Sequence, residues 1–237
     1  MLLDVYRQTV WQEMEKLIPS ITAKQDDDSD YIKNAFDRLR TTLGQRLKDR
    51  DYQQAALDGA SMANRVNQAY HVELINRVRG VNPIMVEPWL DESMKSFIRE
   101  NSSLIKTIPT EGLSDIEQMV YRESRRGLSP KDMRAKIRDE FDVSEGRARV
   151  LARDQIGKFN ANLTEKRQTN LGITEYTWRT SKDGRVRDRH EHLEGTKHKW
   201  SEPPITVTTG KRAGERNHPG EDIQCRCYAE PDIDHLL

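Results

Sequence analysis

From residue 1 to about residue 170 the apolar residues of this chain recur at steps of three and four; beyond residue 172 they do not. Leu3, Tyr6, Val10, Met14 and Leu17 form one stripe of an amphipathic helix over 1–18 that Pro19 is expected to stop. The acidic run Asp26-Asp27-Asp28-Ser29-Asp30 follows, and it reads as a solvated linker plus a helix N-terminus, where carboxylates favour the dipole. Ile32, Phe36, Leu39, Leu43 and Leu47 predict the next helix. Another starts near residue 52 and carries Ala56, Ala60, Ala63, Asn67, Tyr70, Leu74 and Val78 on one face, with Gly80 and Pro83 to close it. Its small residues would let a neighbouring helix approach closely, and His71, off that stripe, reads as a surface residue. A shorter helix over 91–106 carries Met94, Phe97, Ile98 and Ile105.

Three helix starts are then legible. Ser114-x-x-Glu117 has the form of a capping box, and Ser129-Pro130-x-Asp132 sets a cap before a proline in the first helical position. Ser144 is read as the third, opening a helix to Asn170 with Ala148, Leu151, Gln155, Ile156, Phe159 and Leu163 facing inward and Gly172 ending it. Then the period changes to two. Tyr176 and Trp178 alternate with Glu175 and Thr177 as a strand, with further β candidates at 205–208 and 225–229. The fold class is therefore α+β: a mostly helical N-terminal region, then a long helix leading into a small β-containing C-terminal module. The division falls near residue 110, giving regions 1–110 and 111–237.

Composition narrows the picture. Of 237 residues, 35% are hydrophobic and 33% charged, so the core should be thin. The net charge of zero conceals an asymmetry: residues 1–119 hold 15 Lys and Arg against 19 Asp and Glu, and residues 120–230 hold 24 against 18. The second half is thus mildly basic (24 − 18 = +6), which tolerates nucleic acid nearby without being a strong footprint for it. No apolar run approaches the roughly 20 residues of a membrane span, and Asp4, Arg7 and Glu13 interrupt any signal-peptide pattern. Two cysteines one residue apart do not make a secreted disulfide framework, which points to synthesis in a reducing cytosol.

Chemistry concentrates in the last quarter. Cys225-Arg226-Cys227 would project both sulfurs to one side of an extended segment and Arg226 to the other, in a geometry that strains a disulfide. Thiolates with imidazole suit a tetrahedral Zn²⁺; His190, His192, His198 and His218 are the candidates, and Cys225, Cys227, His190 and His218 the quartet expected. The alternative is two small buried apolar thiols beside histidines bonded to backbone carbonyls. Asp183 to His190 could be an acid–base cluster, but Asp183-Gly184 also reads as a hairpin turn into a salt-bridged strand with Arg185 and Arg187 on one face. Arg153 and Asp154 could tie the long helix to the module. An enzymatic reading, a zinc-dependent nuclease using His190, His192 and Asp183, lacks a legible ββα unit. A non-catalytic DNA-binding reading would use Arg and Lys across 147–167 and 179–189.

The order of these residues carries a resemblance. Gly127-Leu128-Ser129 with Ile137 comes first, then Ala152-Arg153 with Asn160, then Gly172-Ile173 with Tyr176 and Trp178. Asp183, Arg185, Arg187, His190, Leu193 and Gly195 follow, then Pro203-Pro204 and finally His218-Pro219-Gly220 and Cys225-Arg226-Cys227. Over about residues 115–231 this resembles the phage Mu F-like head morphogenesis family. Asp154-Gln155 stands where many relatives have Thr-Glu, and the first 110 residues match nothing as clearly. The resemblance implies a non-enzymatic minor head (capsid) protein in the virion, at the head interior or portal vertex. Its implied partners are the portal protein, major capsid or scaffold proteins and packaged double-stranded DNA, with no membrane. The motif residues it marks are Arg153, Trp178, Asp183, Arg185, Arg187, His190, Gly195 and Arg226.

Overall fold

The computed structural model describes residues 1–23, 29–80 and 86–232. The acidic residues 26–28, Pro83 and His235 lie outside them. Five long helices are followed by a small sheet: α1 (Leu2–Ala23), α2 (Ser29–Arg46), α3 (Asp49–Arg79), α4 (Leu90–Ser124), α5 (Pro130–Asn170), β1 (Glu175–Arg179), α6 (Asp188–Glu191), β2 (Lys197–Lys199) and β3 (Tyr228–Pro231). This is an α+β fold. Among the described residues no helix is long and apolar enough to cross a membrane.

The chain forms two compact units, each discontinuous in sequence: residues 1–56 with 98–151, and residues 57–97 with 152–237. Residue 110, near which the sequence divides by pattern, lies inside α4.

The first unit is helical and held by one apolar core. Tyr6, Val10, Met14, Ile18, Phe36, Leu39, Ile116, Met133 and Ile137 are all buried in it. Three expected helix limits are corrected here. α1 runs through Pro19, because Leu17, Ile18 and Ile21 continue its buried face. A mid-helix proline costs about 3 kcal/mol, and each buried isoleucine returns about 1.5–3 kcal/mol, so burial wins. α4 likewise runs through Pro109 and past Ser114, whose capping pattern starts nothing; Glu117 pairs with Arg40 instead. α5 passes through Ser144, which is buried; Met133, Ile137 and Phe141 extend a four-residue stripe directly to it. The start at Ser129 is real: Asp132 N donates to Ser129 Oγ at 3.2 Å and Ser129 Oγ donates to Asp132 Oδ2 at 2.7 Å. Gly112 lets α4 come close to its neighbours, since a Cβ there would meet Ser144 Oγ at 2.5 Å and Tyr6 Oη at 2.6 Å.

The second unit sets α3 and the C-terminal half of α5 with a three-stranded antiparallel sheet of order β2-β1-β3. Tyr176 pairs with His198 on one side of β1, and Trp178 pairs with Ala229 on the other. Alternation places Tyr176 and Trp178 in a small core with Leu193, Trp200, Cys227 and Ala229. A second small cluster joins Ala60 and Ala63 of α3 to Phe97, Phe159 and Leu163, so the small residues of α3 do serve close packing. The strand expected at 205–208 reduces to one bridge, Ile205 with Arg216. β2 was not expected. The segment after Asp183 is a turn leading into α6, not a salt-bridged strand. A helix there makes Arg185 and Arg187 loop residues with separate partners.

Candidate functional site

Buried polar side chains, beside two small apolar clusters, tie the elements of the second unit together. Arg167, fully buried on α5, makes a two-pronged pair with Glu87, Nε to Oε1 at 2.6 Å and Nη2 to Oε2 at 2.9 Å. Its Nη1 donates to Asn67 Oδ1 at 2.7 Å and its Nη2 to Asn64 Oδ1 at 2.5 Å. Asn67 in turn donates to Asn160 Oδ1 at 2.9 Å and Thr164 Oγ1 at 2.8 Å, which locks α3 to α5. Gln168, also buried, ties α5 to the sheet: Nε2 donates to the Ala229 carbonyl and Trp200 Nε1 donates to Oε1, both at 3.2 Å. His71 is fully buried, contrary to the surface position expected; its Nδ1 lies 2.8 Å from the Asn67 carbonyl. It occupies the buried edge of α3 between Asn67 and Ile75, while Tyr70 faces outward. Burial pushes its pKa down.

The segment before β3 is positioned by α5. Asp154 Oδ1 accepts the Gln224 N–H at 2.6 Å, at a residue with φ of 53°. The expected link from this helix to the module thus runs through Asp154, and Arg153 lines an adjacent cavity instead. Fixing Gln224 presents Cys225 and Cys227 to His190, which α6 and the edge of the Trp178 ring hold in place at a centroid distance of 5.4 Å. Cys225 Sγ and Cys227 Sγ lie 3.5 and 3.7 Å from His190 Nδ1. All three donor atoms are within 4.8 Å of one another. Both cysteines are free thiols. The Cys225 thiol is pulled down, first by the hydrogen bond from the Cys227 thiol, and Cys227 is pushed up by giving it. The pair can therefore carry a thiolate on Cys225.

His218, the fourth ligand expected from sequence, is engaged elsewhere. Its Nδ1 lies 2.9 Å from the Tyr176 hydroxyl, the ring packs on Trp200 with centroids 4.8 Å apart, and it hydrogen-bonds the Trp200 backbone. The alternatives fare similarly: His192 Nδ1 is 2.6 Å from the Asp188 carbonyl, and His198 Nε2 is 2.7 Å from Thr196 Oγ1. The buried residue on the other side of His190 is Asp222, with Oδ2 3.4 Å from Nε2.

The remaining motif residues have structural tasks. Asp183 accepts both guanidinium nitrogens of Arg226 and the Arg185 N–H at 3.0 Å. Those bonds hold its carboxyl below the usual range, the backbone N–H of Arg185 foremost. Arg187 reaches Asp222 at 3.4 Å and the Ile223 carbonyl. Trp178 is fully buried, and Gly195, with φ of 75°, donates its N–H to the Trp178 carbonyl at 2.8 Å. That left-handed turn would strain any other residue. Asp183, His190 and His192, the residues of the nuclease reading, thus each have a different partner.

The basic residues 147–167 are largely neutralised: Arg147 pairs with Asp115, Arg149 with Glu145, Lys158 with Asp154 and Arg167 with Glu87. Arg179 pairs with Glu194 and Glu230. Arg153, Arg185, Arg187 and Arg226 line one cavity of about 230 Å³ together with the two cysteines and His190, with Arg187 paired to Asp222 and Arg226 to Asp183.

Fold and site together define an α+β protein whose C-terminal module hangs a His-Cys-Cys cluster on a long helix and a short sheet. Residues 114–230, just under half of the chain, match the family described as Phage Mu protein F like protein, and it is this family that the segment is similar to. An uncharacterized protein of Haemophilus influenzae is 34% identical over 148 residues, which cover 62% of this chain and 31% of the relative. The chain therefore spans about a third of that relative's length. No solved structure matches the chain.

Proposed function

We propose that this chain is a minor head protein acting in head morphogenesis, bound at the portal and facing packaged DNA, with no catalytic activity of its own. The family match over 114–230 carries the reading. Two features support it. The described residues of the first unit form a helical body around one apolar core, as a scaffold would. In the second unit, the acidic and histidine side chains that a nuclease would need are committed to separate partners. The contact with portal or capsid then falls to exposed apolar positions such as Met62, Val66 and Tyr70 on α3. Leu39, on the helix stripe of α2, is fully buried, so Leu39→Asp would report folding and not docking.

The test is assembly of heads by the encoding phage with this gene deleted, complemented by wild type or by Met62→Asp/Val66→Asp. Deletion should yield defective heads, and the folded surface variant should fail to enter them. Normal infectious heads containing none of this protein would refute the reading. A second reading, contact with duplex DNA, is favoured by the four arginines around one cavity. It predicts binding that weakens steeply with salt and that Arg153→Ala/Arg185→Ala reduces.

A further inference from the structure

We propose that His190, Cys225 and Cys227 bind one zinc ion, with Asp222 orienting the histidine and water in the fourth position. Nothing in this inference depends on the head-protein reading.

The donor geometry is the first argument. Zn–S bonds of about 2.3 Å and Zn–N bonds of about 2.0–2.1 Å, set at the tetrahedral angle, place sulfur and nitrogen about 3.6 Å apart. The two observed Sγ–Nδ1 separations are 3.5 and 3.7 Å. Both match the sulfur–nitrogen edge of such a tetrahedron, and all three donors lie within 4.8 Å of one another. Soft sulfurs with one imidazole are also the donor set that selects zinc over the hard cations.

The surroundings are the second argument. Metal-bound histidine generally presents its other nitrogen to a carboxylate, which fixes the ring and raises its basicity. His190 turns Nδ1 to the sulfurs, and its buried Nε2, which makes no hydrogen bond among the described residues, lies 3.4 Å from Asp222 Oδ2. Asp222 is itself buried and held: Arg212 Nη2 donates to Oδ1 at 2.9 Å, the Ile223 N–H to Oδ1 at 2.7 Å, and Arg187 Nη1 to Oδ2 at 3.4 Å. So the ring is oriented by a carboxylate that is oriented in turn. The sulfur side is prepared too. Cys227 N–H lies 3.4 Å from Cys225 Sγ, a contact that stabilises a thiolate ligand.

Openness is the third. Among the described residues no fourth His, Cys, Asp or Glu joins the cluster. The three donors line the arginine-bordered cavity, which leaves the remaining coordination position to solvent.

The experiment uses the full chain, purified under reducing conditions. Elemental analysis should find about one zinc per chain. After chelation and reloading with cobalt(II), the wild type should show the sulfur-to-cobalt charge-transfer absorption of a tetrahedral two-thiolate site. Cys225→Ser should cut that absorption to about half, and His218→Ala should leave it intact. Asp222→Asn, which keeps all three ligands, should weaken zinc binding about 10–100-fold, the range for loss of an outer-shell partner. The wild-type spectrum needs no variant to fold, and its absence would overturn the proposal. So would an absorption unchanged by Cys225→Ser, or loss of metal in a folded His218→Ala protein.

Discussion

The first unit buries Tyr6, Met14, Ile18, Phe36, Leu39 and Ile137 against one another, whereas the second buries Arg167, Gln168, Asn67, His71, His190 and Asp222 around two small apolar clusters. The described helices of the first unit are specified by non-directional contact, which tolerates hydrophobic exchange as long as volume is kept. The second unit is specified by hydrogen-bond geometry, where an unmatched partner is costly and a conservative change is not conservative. All six histidines and both cysteines of the chain fall in the second unit's residue range. The two units should therefore fail under different treatments.

The largest effects come from breaking each unit at its own kind of contact. Phe36→Ala should cost about 3–5 kcal/mol by leaving a cavity, read as an earlier denaturant midpoint for the first unit. Arg167→Met should cost about 3–5 kcal/mol in the second, because it strands the Glu87 carboxylate in a buried site. Arg167→Lys should rescue little of that loss, since a lysine cannot make the two-pronged pair. A smaller effect is expected at Gly112→Ala, where the added methyl meets Ser144 and Tyr6; overpacking of this kind costs about 1–3 kcal/mol. It should destabilise the first unit alone.

The smallest effect separates the units by pH. His71 has a pKa lowered by burial, so below about 6.5, the ordinary histidine value, the unfolded chain binds a proton that the folded chain refuses. Stability from this group is full above that value and falls as pH drops through it. His198 and His218 are lowered by burial in the same sense. Carboxylates of the first unit such as Glu15 are shifted down, chiefly by the hydrogen bond from Arg134, and stay ionised at pH 5.5. Between pH 7.5 and 5.5, then, the denaturation midpoint of the second unit should fall while that of the first stays. His71→Leu should reduce the slope.

How much of this was legible in the sequence follows the same division. The apolar stripes of α1 and α2 state their own periodicity, so these two helices of the first unit could be read directly. Their limits could not, because Pro19, Ser114 and Ser144 carry local stop or start signals that buried neighbours overrule. In the second unit the alternation at Tyr176 and Trp178 announced β1, and Cys225 with Cys227 announced their own cluster. Arg167, Gln168 and Asp222 gave no signal: a buried arginine or glutamine looks like a solvated one until its partners, far away in sequence, are known. His71 was misplaced for the same reason, since a histidine beside an alanine-rich stripe contributes nothing to hydrophobic period. The only hint available was Asn67, a polar residue sitting squarely on the apolar face. His218 was grouped with the cysteines by proximity along the chain, whereas Tyr176 and Trp200 claim it in space.

The most direct test of the claim that polar contacts hold the second unit is peptide-resolved hydrogen exchange of Arg167→Met against wild type at pH 7.5. The account predicts that protection is lost across 57–97 and 152–232 and retained across 1–56 and 98–151. Equal loss in both sets of peptides, or full protection around Arg167 itself, would contradict it.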